Sequence, residues 1–445
     1  MIEKISLYLV TLLVYLPWLI YAIKTKKISQ YPIVSFCFIG LFFFNAVGSI
    51  FVMFPDFFTK GGFFIKNLFS YDYVLMLIIQ ALIFYAVTSI YFYFNVQKVS
   101  KKIQSQKAVD KIFRYILVIF VTASLVFFLL QVGSPPLIEI MRGNLDSFEK
   151  IISYRTNTIY STEYGSIAIV SLYFLPLLTA IYIFVESSLK KKRSYYDYLL
   201  IVCCIVISAL PGGKGNILDL VTALFIAYLL LRTGAATDER KPIAYKQLFL
   251  WLSVSLLPVA LLYNTYYSST NTTFERFQLF VYRIFGAYSE IMAATVPYTE
   301  SNGFLGGITL PRFKGLIHSE EPINLSTEMF KFLYGSSGGA PVSACAEGYI
   351  NFGWFGFILM TFIIFIIVVL MQEFLRQMPQ KDLLTFSLMV IYSLFATKIS
   401  QISLLAYILE PNFTLIVLLM LTVRYLLVLL CSEIRIQKTH LRSQK

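Results

Sequence analysis

The stretch INFGWFGFILMTFIIFIIVVLM, residues 350–371, decides the fold of this chain. It carries no charged residue, and it is long enough to cross a bilayer as a helix, which takes roughly 20 apolar residues. Similar runs recur along the 445 residues, of which 58% are hydrophobic. A soluble core could not use so many uniformly apolar helices. The sequence therefore predicts an all-α, polytopic integral membrane protein that forms a single domain over residues 1–445.

Apolar periodicity predicts about 11 spans, within a range of about 10 to 12. The predicted spans cover residues 5–23, 32–54, 73–95, 115–132, 165–187, 196–212, 216–231, 247–265, 348–371, 383–405 and 412–431. The first is interpreted as a retained span and not as a signal peptide, because it lacks a sizeable basic region and a small-residue cleavage site.

Basic residues cluster after alternate spans. The chain carries 37 Lys and Arg against 24 Asp and Glu, and the clusters lie at 24–27, 98–114, 190–193, 232–246, 376–381 and 435–445. By the positive-inside rule these segments are cytoplasmic, the N-terminus is external and the C-terminus is internal. The net charge of +13 then reflects topology and attraction to membrane lipid, and no nucleic acid is expected as a partner.

Two external segments, 133–164 and 266–347, exceed the roughly 12–15 residues beyond which loops are usually functional or disordered. The longer one contains NTTFERFQLFVYRIFGAYSEIMAATVPY, whose apolar spacing predicts an amphipathic helix along the membrane face. The cytoplasmic loops carry no phosphate-binding loop, dinucleotide fingerprint or paired-acid motif. We therefore expect the functional site at the external membrane surface.

Cysteine usage indicates no disulfide framework and no Cys/His metal site. Four of the five cysteines fall within or beside predicted spans, and Cys345 alone is expected to be external. The expected cofactor set is empty, and no metal ligand is assigned.

Three basic residues are candidates for binding a phosphate group. Lys214, in PGGKGN, lies in a glycine-flanked turn that opens a helix, with Asp219 expected in its first turn. Arg276 and Arg283 are seven residues apart and share one face of a regular helix, as does Glu290. The alternatives are an interfacial lysine neutralised by Asp219, and two arginines that anchor a helix to lipid headgroups.

The remaining candidates concern sugar binding and proton transfer. Arg142 and Arg155, the latter within YRTNTIYSTEY, could contact sugar or phosphate. The candidate general bases are His318, Glu347 and Glu290, since each could accept a hydroxyl proton. The alternatives are a solvated histidine and, for Glu347, an acid that only complements the helix dipole. Tyr349 follows Glu347 as a further candidate for substrate binding.

The order of these features resembles the Wzy-type polysaccharide polymerases, also called O-antigen or oligosaccharide repeat-unit polymerases. GGKGNILDLV is similar to their glycine-flanked basic segment, with Lys214 where the family usually has Arg. ERFQLFVYRIFGAYSE resembles their external arginine-containing helix, and APVSACAEGYINFGWFGFIL resembles their late segment with Glu, Tyr and Asn-Phe-Gly.

The resemblance implies a GT-C-like, inverting glycosyltransferase without metal or nucleotide. Its substrate would be an oligosaccharide on undecaprenyl pyrophosphate, at the periplasmic face of the bacterial cytoplasmic membrane. The growing chain would leave its pyrophosphate for a hydroxyl of the next lipid-linked unit. A chain-length regulator and a flippase are implied as further partners.

Two other functions share parts of this pattern. An O-antigen ligase uses the same donor with a lipid A-core acceptor. A lipid-linked oligosaccharide flippase, or another transporter, usually carries ionisable groups at mid-membrane depth, and the sequence shows few of these besides Arg424. A structural or sensory protein would have no evident use for so large an external loop.

Overall fold

All of the regular structure described for this chain is helical, without a strand. The computed structural model describes residues 1–25, 27–55, 68–94, 107–145, 148–155, 157, 165–189, 194–212, 214–232, 272–310, 319, 321–335, 338–377, 382–399 and 411–443.

The helices, in chain order, are α1 (Ile2–Lys24), α2 (Lys27–Gln30), α3 (Pro32–Leu41), α4 (Ser49–Met53), α5 (Tyr71–Phe94), α6 (Lys107–Val132), α7 (Pro136–Met141), α8 (Phe148–Arg155), α9 (Gly165–Leu189), α10 (Tyr195–Ala209), α11 (Lys214–Arg232), α12 (Thr273–Val281), α13 (Ala287–Asn302), α14 (Leu325–Tyr334), α15 (Ala344–Gln377), α16 (Leu383–Thr397) and α17 (Pro411–Ser443). Two π-helical turns, Phe42–Val47 and Tyr282–Gly286, join α3 to α4 and α12 to α13.

Eight of the described helical segments are long and apolar enough to cross a membrane. They are α1, the continuous run Pro32–Met53, α5, α15, and the greater part of α6, α9, α11 and α17, and they coincide with eight of the predicted spans. The predicted spans 196–212 and 383–405 correspond to α10 and α16, which are shorter apolar helices. The predicted span 247–265 lies outside the described residues.

The chain packs as two compact units. Unit 1 comprises Met1–Val99, Ser268–Arg376 and Tyr392–Tyr407, and unit 2 comprises Ser100–Tyr267, Gln377–Ile391 and Ile408–Lys445. Each unit therefore draws on distant parts of the sequence.

In unit 1, polar and aromatic contacts gather the start of α3 and the ends of α5 and α15. The backbone N–H of Ile33 donates to Gln372 Oε1 at 2.8 Å. Tyr91 donates to Glu373 at 3.0 Å, and Arg376 pairs with the same carboxylate at 2.6 Å. The start of α3 and the ends of α5 and α15 therefore lie together at one end of unit 1.

Helix α15 contains a sharp kink. Phe352 and Gly353 leave the helical conformation, and Gly353 has φ 62° and ψ −147°. Side chains rarely tolerate that backbone conformation, so glycine is required there. The predicted span 348–371 therefore crosses a break. The part beyond the kink, residues 354–377, would extend about 35 Å and is long enough to span by itself.

In unit 2, buried ion pairs hold the starts of α6, α10 and α16 close to the end of α9. Arg424 of α17 pairs with Asp110 at 2.5 Å and with Asp382 at 2.9 Å. Arg114 pairs with Asp197 at 2.6 Å and with Glu186 at 3.4 Å. The starts of α6, α10 and α16 and the end of α9 therefore lie together in unit 2.

Candidate functional site

Glu347 is the first candidate base, and it lies at the kinked end of α15, opposite the end that carries Arg376. Its side chain is buried. The Thr309 hydroxyl donates to Glu347 Oε1 at 2.9 Å, and Asn351 Nδ2 donates to Thr309 Oγ1 at 2.7 Å. The same amide nitrogen also lies 2.9 Å from the backbone carbonyl of Glu347. Thr309, from the preceding segment, therefore contacts the carboxylate directly, and Asn351 of the helix holds Thr309 in place.

The segment that follows α13 is tied to the kink by its backbone. The N–H of Gly307 donates to Asn351 Oδ1 at 2.8 Å, and the N–H groups of Leu305 and Gly306 donate to the carbonyls of Ile350 and Asn351. These carbonyls precede the break in the helix, where intrahelical partners are missing. The segment therefore donates hydrogen bonds to backbone carbonyls that lack an intrahelical partner at the kink.

Tyr349 lies in an aromatic group beside this contact. Its ring packs edge-on against Phe304, at 6.2 Å between centroids, and against Trp354, at 5.6 Å. Phe304 is exposed and lies over Gly353. Aromatic side chains of this kind can stack on a sugar or lie at a membrane interface.

Glu290 is the second described candidate base, and it is only 1% exposed. The hydroxyls of Tyr282 and Tyr334 both donate to its Oε2 atom, Tyr334 at 2.8 Å. The two phenolic oxygens lie 3.3 Å apart. Burial and the nearby charge of Glu290 raise the pKa of Tyr334, while the charge of Arg283 acts in the opposite direction. The phenol therefore stays protonated at neutral pH and donates its hydrogen bond to the Glu290 carboxyl group.

The expected stripe of Arg276, Arg283 and Glu290 on one regular helix is corrected by the structure. The π-helical turn Tyr282–Gly286 interrupts the helix between α12 and α13. A π turn holds more residues than an α turn, so it shifts the register of the side chains that follow. The structure places Arg283 in this turn, half-buried, and Glu290 in the interior. Turns of this type are frequent at functional sites.

In unit 2, Arg142 follows α7 and is exposed. It pairs with Glu139 at 2.9 Å. Hydrogen bonds from Asn144, Ser134 and Arg142 hold the pKa of Glu139 below its usual range. Arg142 therefore has one carboxylate partner and keeps most of its guanidinium surface open to solvent.

The PGGKGN turn lies near the start of segment 133–164, which is predicted to be external. The N–H of Leu137 donates to the carbonyl of Leu210 at 3.2 Å, which brings the start of α7 to the end of α10. Lys214 begins α11, as predicted. Asp219, however, lies beyond the first turn and accepts a hydrogen bond from Tyr173 at 2.8 Å. The sequence had placed this acid closer to the helix start.

Several predicted site groups fall outside the described part of the chain. They are His318 and the side chains of Arg155, Lys214 and Arg276. Their convergence on a phosphate group stays a prediction. Cys345 is buried in unit 1, where Gln80 of α5 donates to its sulfur at 3.4 Å, and its external location stays a prediction.

The structure adds four residues that sequence reasoning missed, namely Tyr282, Thr309, Tyr334 and Asn351. Asn351 belongs to the INFGWFG stretch, so its position could have drawn attention. Thr309 carried no signal, and the two tyrosines are among 31 in the chain.

Within the described residues no group of three or more His, Cys, Asp or Glu side chains could hold a metal ion. Comparison with known proteins adds no further assignment, since no protein-family model, curated protein or solved structure matches this chain.

Proposed function

We propose that this chain polymerises lipid-linked oligosaccharide repeat units at the outer face of the bacterial cytoplasmic membrane. The donor is a growing glycan on undecaprenyl pyrophosphate, and the acceptor is a sugar hydroxyl on the next lipid-linked unit. The proposal rests on the resemblance to Wzy-type polymerases together with the two buried, hydrogen-bonded carboxylates in unit 1. No nucleotide and no metal takes part in the proposed reaction.

The observation that carries the proposal is the placement of Glu347. Its carboxylate accepts a hydrogen bond from Thr309, which Asn351 in turn holds at the kink of the INFGWFG stretch, and this stretch is the segment of strongest family resemblance. A carboxylate that is positioned and protected from bulk water can accept the proton of a sugar hydroxyl. Glu290, which is more deeply buried, is a second candidate that would receive the proton through a neighbouring group, and His318 remains a predicted third.

The reaction exchanges one bond for another at the anomeric carbon. The acceptor oxygen attacks that carbon from the face opposite the pyrophosphate, and the new glycosidic bond forms with inversion. The bond to the pyrophosphate breaks, and the lipid pyrophosphate leaves with the electron pair. The hydroxyl proton passes to the base. Cationic side chains, proposed as Lys214, Arg276 and Arg283, stabilise the charge on the leaving group.

A transport function requires separate consideration because unit 2 contains more buried ionisable groups than the sequence suggested. Asp110, Asp197 and Asp382 all lie at helix starts, where a carboxylate complements the helix dipole. Arg424 and Arg114 are paired with them. This arrangement favours a structural ion-pair network near one end of the spans over a relay at mid-membrane depth.

Deletion of the gene in its host separates the proposed function from its rivals. Loss of a polymerase leaves single repeat units on the lipid carrier and on the final acceptor. Loss of a ligase instead leaves long polymer on the lipid carrier, and loss of a flippase leaves single units facing the cytoplasm. Carrier-linked long chains in the deletion strain would contradict the proposal.

A further inference from the structure

Glu290 is too deeply buried to meet a substrate hydroxyl directly. Glu290 is 1% exposed. Tyr282, which donates to the same carboxylate oxygen, is 3% exposed. Tyr334 also donates to this oxygen, at 2.8 Å, yet its side chain is only partly buried. Tyr334 therefore reaches from the surface of unit 1 to the carboxylate.

The local structure fixes the ring of Tyr334. Tyr334 is the last residue of α14, which ends because Gly335 adopts the left-handed conformation, with φ 65°. One turn earlier, Phe330 packs against the tyrosine ring at 4.7 Å between centroids. Asn324 caps the other end of this short helix through the N–H of Thr327. The phenol is thus presented on a capped helix and does not depend on an irregular loop.

We propose that Tyr334 is a catalytic proton relay between the acceptor hydroxyl and Glu290. This inference rests on the proposed function and takes Glu290, of the two buried carboxylates in unit 1, as the base that finally accepts the hydroxyl proton. As the acceptor oxygen attacks the anomeric carbon, its proton moves to the phenolic oxygen of Tyr334. At the same time the phenolic proton moves to Glu290 Oε2, and the lipid pyrophosphate departs with the electron pair of the broken bond. After release of the product, the reverse transfer returns the proton from Glu290 to water through Tyr334.

The charges around the pair suit this role. Arg283 acts on Tyr334 electrostatically, so it would stabilise negative charge that develops on the phenolic oxygen during transfer. Other titratable groups that the described residues place nearby include Tyr282 in the π turn and Tyr73 of α5, which lies near Ser289. Glu328 of α14 faces Tyr298, about two turns further along α13.

The test uses the purified full-length protein, a synthetic lipid-linked repeat unit as both donor and acceptor, and the rate of polymer formation across pH. Tyr334→Phe should lower turnover by about 100-fold or more, as expected for loss of a proton-transfer group. The rate of this variant should also lose the part of its pH dependence that comes from proton transfer through Tyr334. Tyr298→Phe is the matched control because Tyr298 packs against Phe332 of the same helix and lies outside the proposed relay. It should retain wild-type rates.

A fluorinated tyrosine introduced at position 334 provides a second variant that keeps the ring and its packing. It lowers the phenol pKa, so the relay predicts a displaced pH profile at unchanged thermal stability. A wild-type rate and pH profile in both Tyr334 variants would overturn the relay while leaving the polymerase proposal intact. A wild-type protein that forms no polymer from intact repeat units would overturn the polymerase proposal, and the relay with it.

Discussion

Gly348 and Gly356 face each other across the kink of α15. A Cβ atom added at Gly356 would lie 2.0 Å from the carbonyl oxygen of Gly348, and one added at Gly348 would lie 2.5 Å from the carbonyl oxygen of Gly356. Eight residues of regular helix would separate these positions by about 12 Å. The two halves of α15 therefore cross at their glycines, and this crossing places Glu347 beside the segment that follows α13.

Alanine at position 356 should destabilise the protein because its methyl group would overlap backbone that cannot move aside. We expect Gly356→Ala to lower the free energy of unfolding by about 1–3 kcal/mol, the usual range for overpacking. The measurement is thermal unfolding in detergent. Gly215→Ala is the control, since an added Cβ there meets nothing within 4 Å. Equal unfolding temperatures for the two variants would show that the glycine crossing is not required.

Asn351 should anchor the segment after α13. Asn351→Ala removes the hydrogen bonds to Gly307, to Thr309 and to the carbonyl of Glu347. At about 0.5–1.5 kcal/mol for each bond, the loss should total about 1.5–4.5 kcal/mol. Asn302→Ala serves as the control because Asn302 is exposed and its side chain bonds only within its own helix turn. Limited proteolysis near residues 303–310 should increase in the Asn351 variant alone. If cleavage and unfolding match the wild type, Asn351 is not the anchor.

The long spans could be predicted because each run of apolar residues carries its own signal. The bends and breaks could not, since they depend on tertiary contacts. The π turn Tyr282–Gly286 changes the register between Arg283 and Glu290, and a helical-wheel argument assumes that the register is constant. Likewise, the pairing of Thr309 with Glu347 joins residues 38 positions apart, and no spacing rule connects them.

Arg424 should be required for the stability of unit 2. It is 3% exposed, it pairs with Asp110 and Asp382, and its guanidinium lies 5.6 Å from the ring centre of Phe113. Arg424→Ala leaves two carboxylates without their cation, and removal of one partner of a buried ion pair costs about 3–5 kcal/mol. The expected result is a large drop in the unfolding temperature in detergent.

Arg142→Ala is the matched control for that experiment. Its ion pair with Glu139 is largely exposed, and solvent screens such pairs, so the unfolding temperature should change little. Neutralising the acids in Arg424→Ala, with Asp110→Asn and Asp382→Asn, should restore part of the lost stability. If Arg424→Ala and Arg142→Ala unfold at the same temperature, that result would contradict a structural role for the network.

The charge network in unit 2 illustrates a limit of sequence reasoning. Asp110, Asp197 and Asp382 occur near helix starts, where acids are common and give no sign of a partner. Their arginines come from α6 and from α17, whose Arg424 follows Asp110 by 314 positions. The sequence drew attention to Arg424 as an intramembrane charge, but only the packing of the helices identifies the carboxylates that neutralise it.

Cysteine labelling should establish the sidedness that the basic clusters predict. Cys203 is exposed and Cys431 partly exposed, so both are first replaced by serine. In that background, a membrane-impermeant maleimide applied to intact cells should label Ser301→Cys, which is exposed at the end of α13. Ser105→Cys, in a segment predicted to be cytoplasmic, should react only after the membrane is opened. The reverse pattern would invert the topology and place the proposed site on the wrong side.

The most direct test of the proposed function is polymer synthesis by the purified protein in lipid vesicles. Supplied with one species of undecaprenyl-pyrophosphate-linked repeat unit and no nucleotide sugar, it should release lipid pyrophosphate and form a ladder of glycans separated by one repeat unit. Each new linkage should have the anomeric configuration opposite to that of the donor. Substrate recovered unchanged, from protein that is folded and binds the lipid-linked unit, would contradict the account.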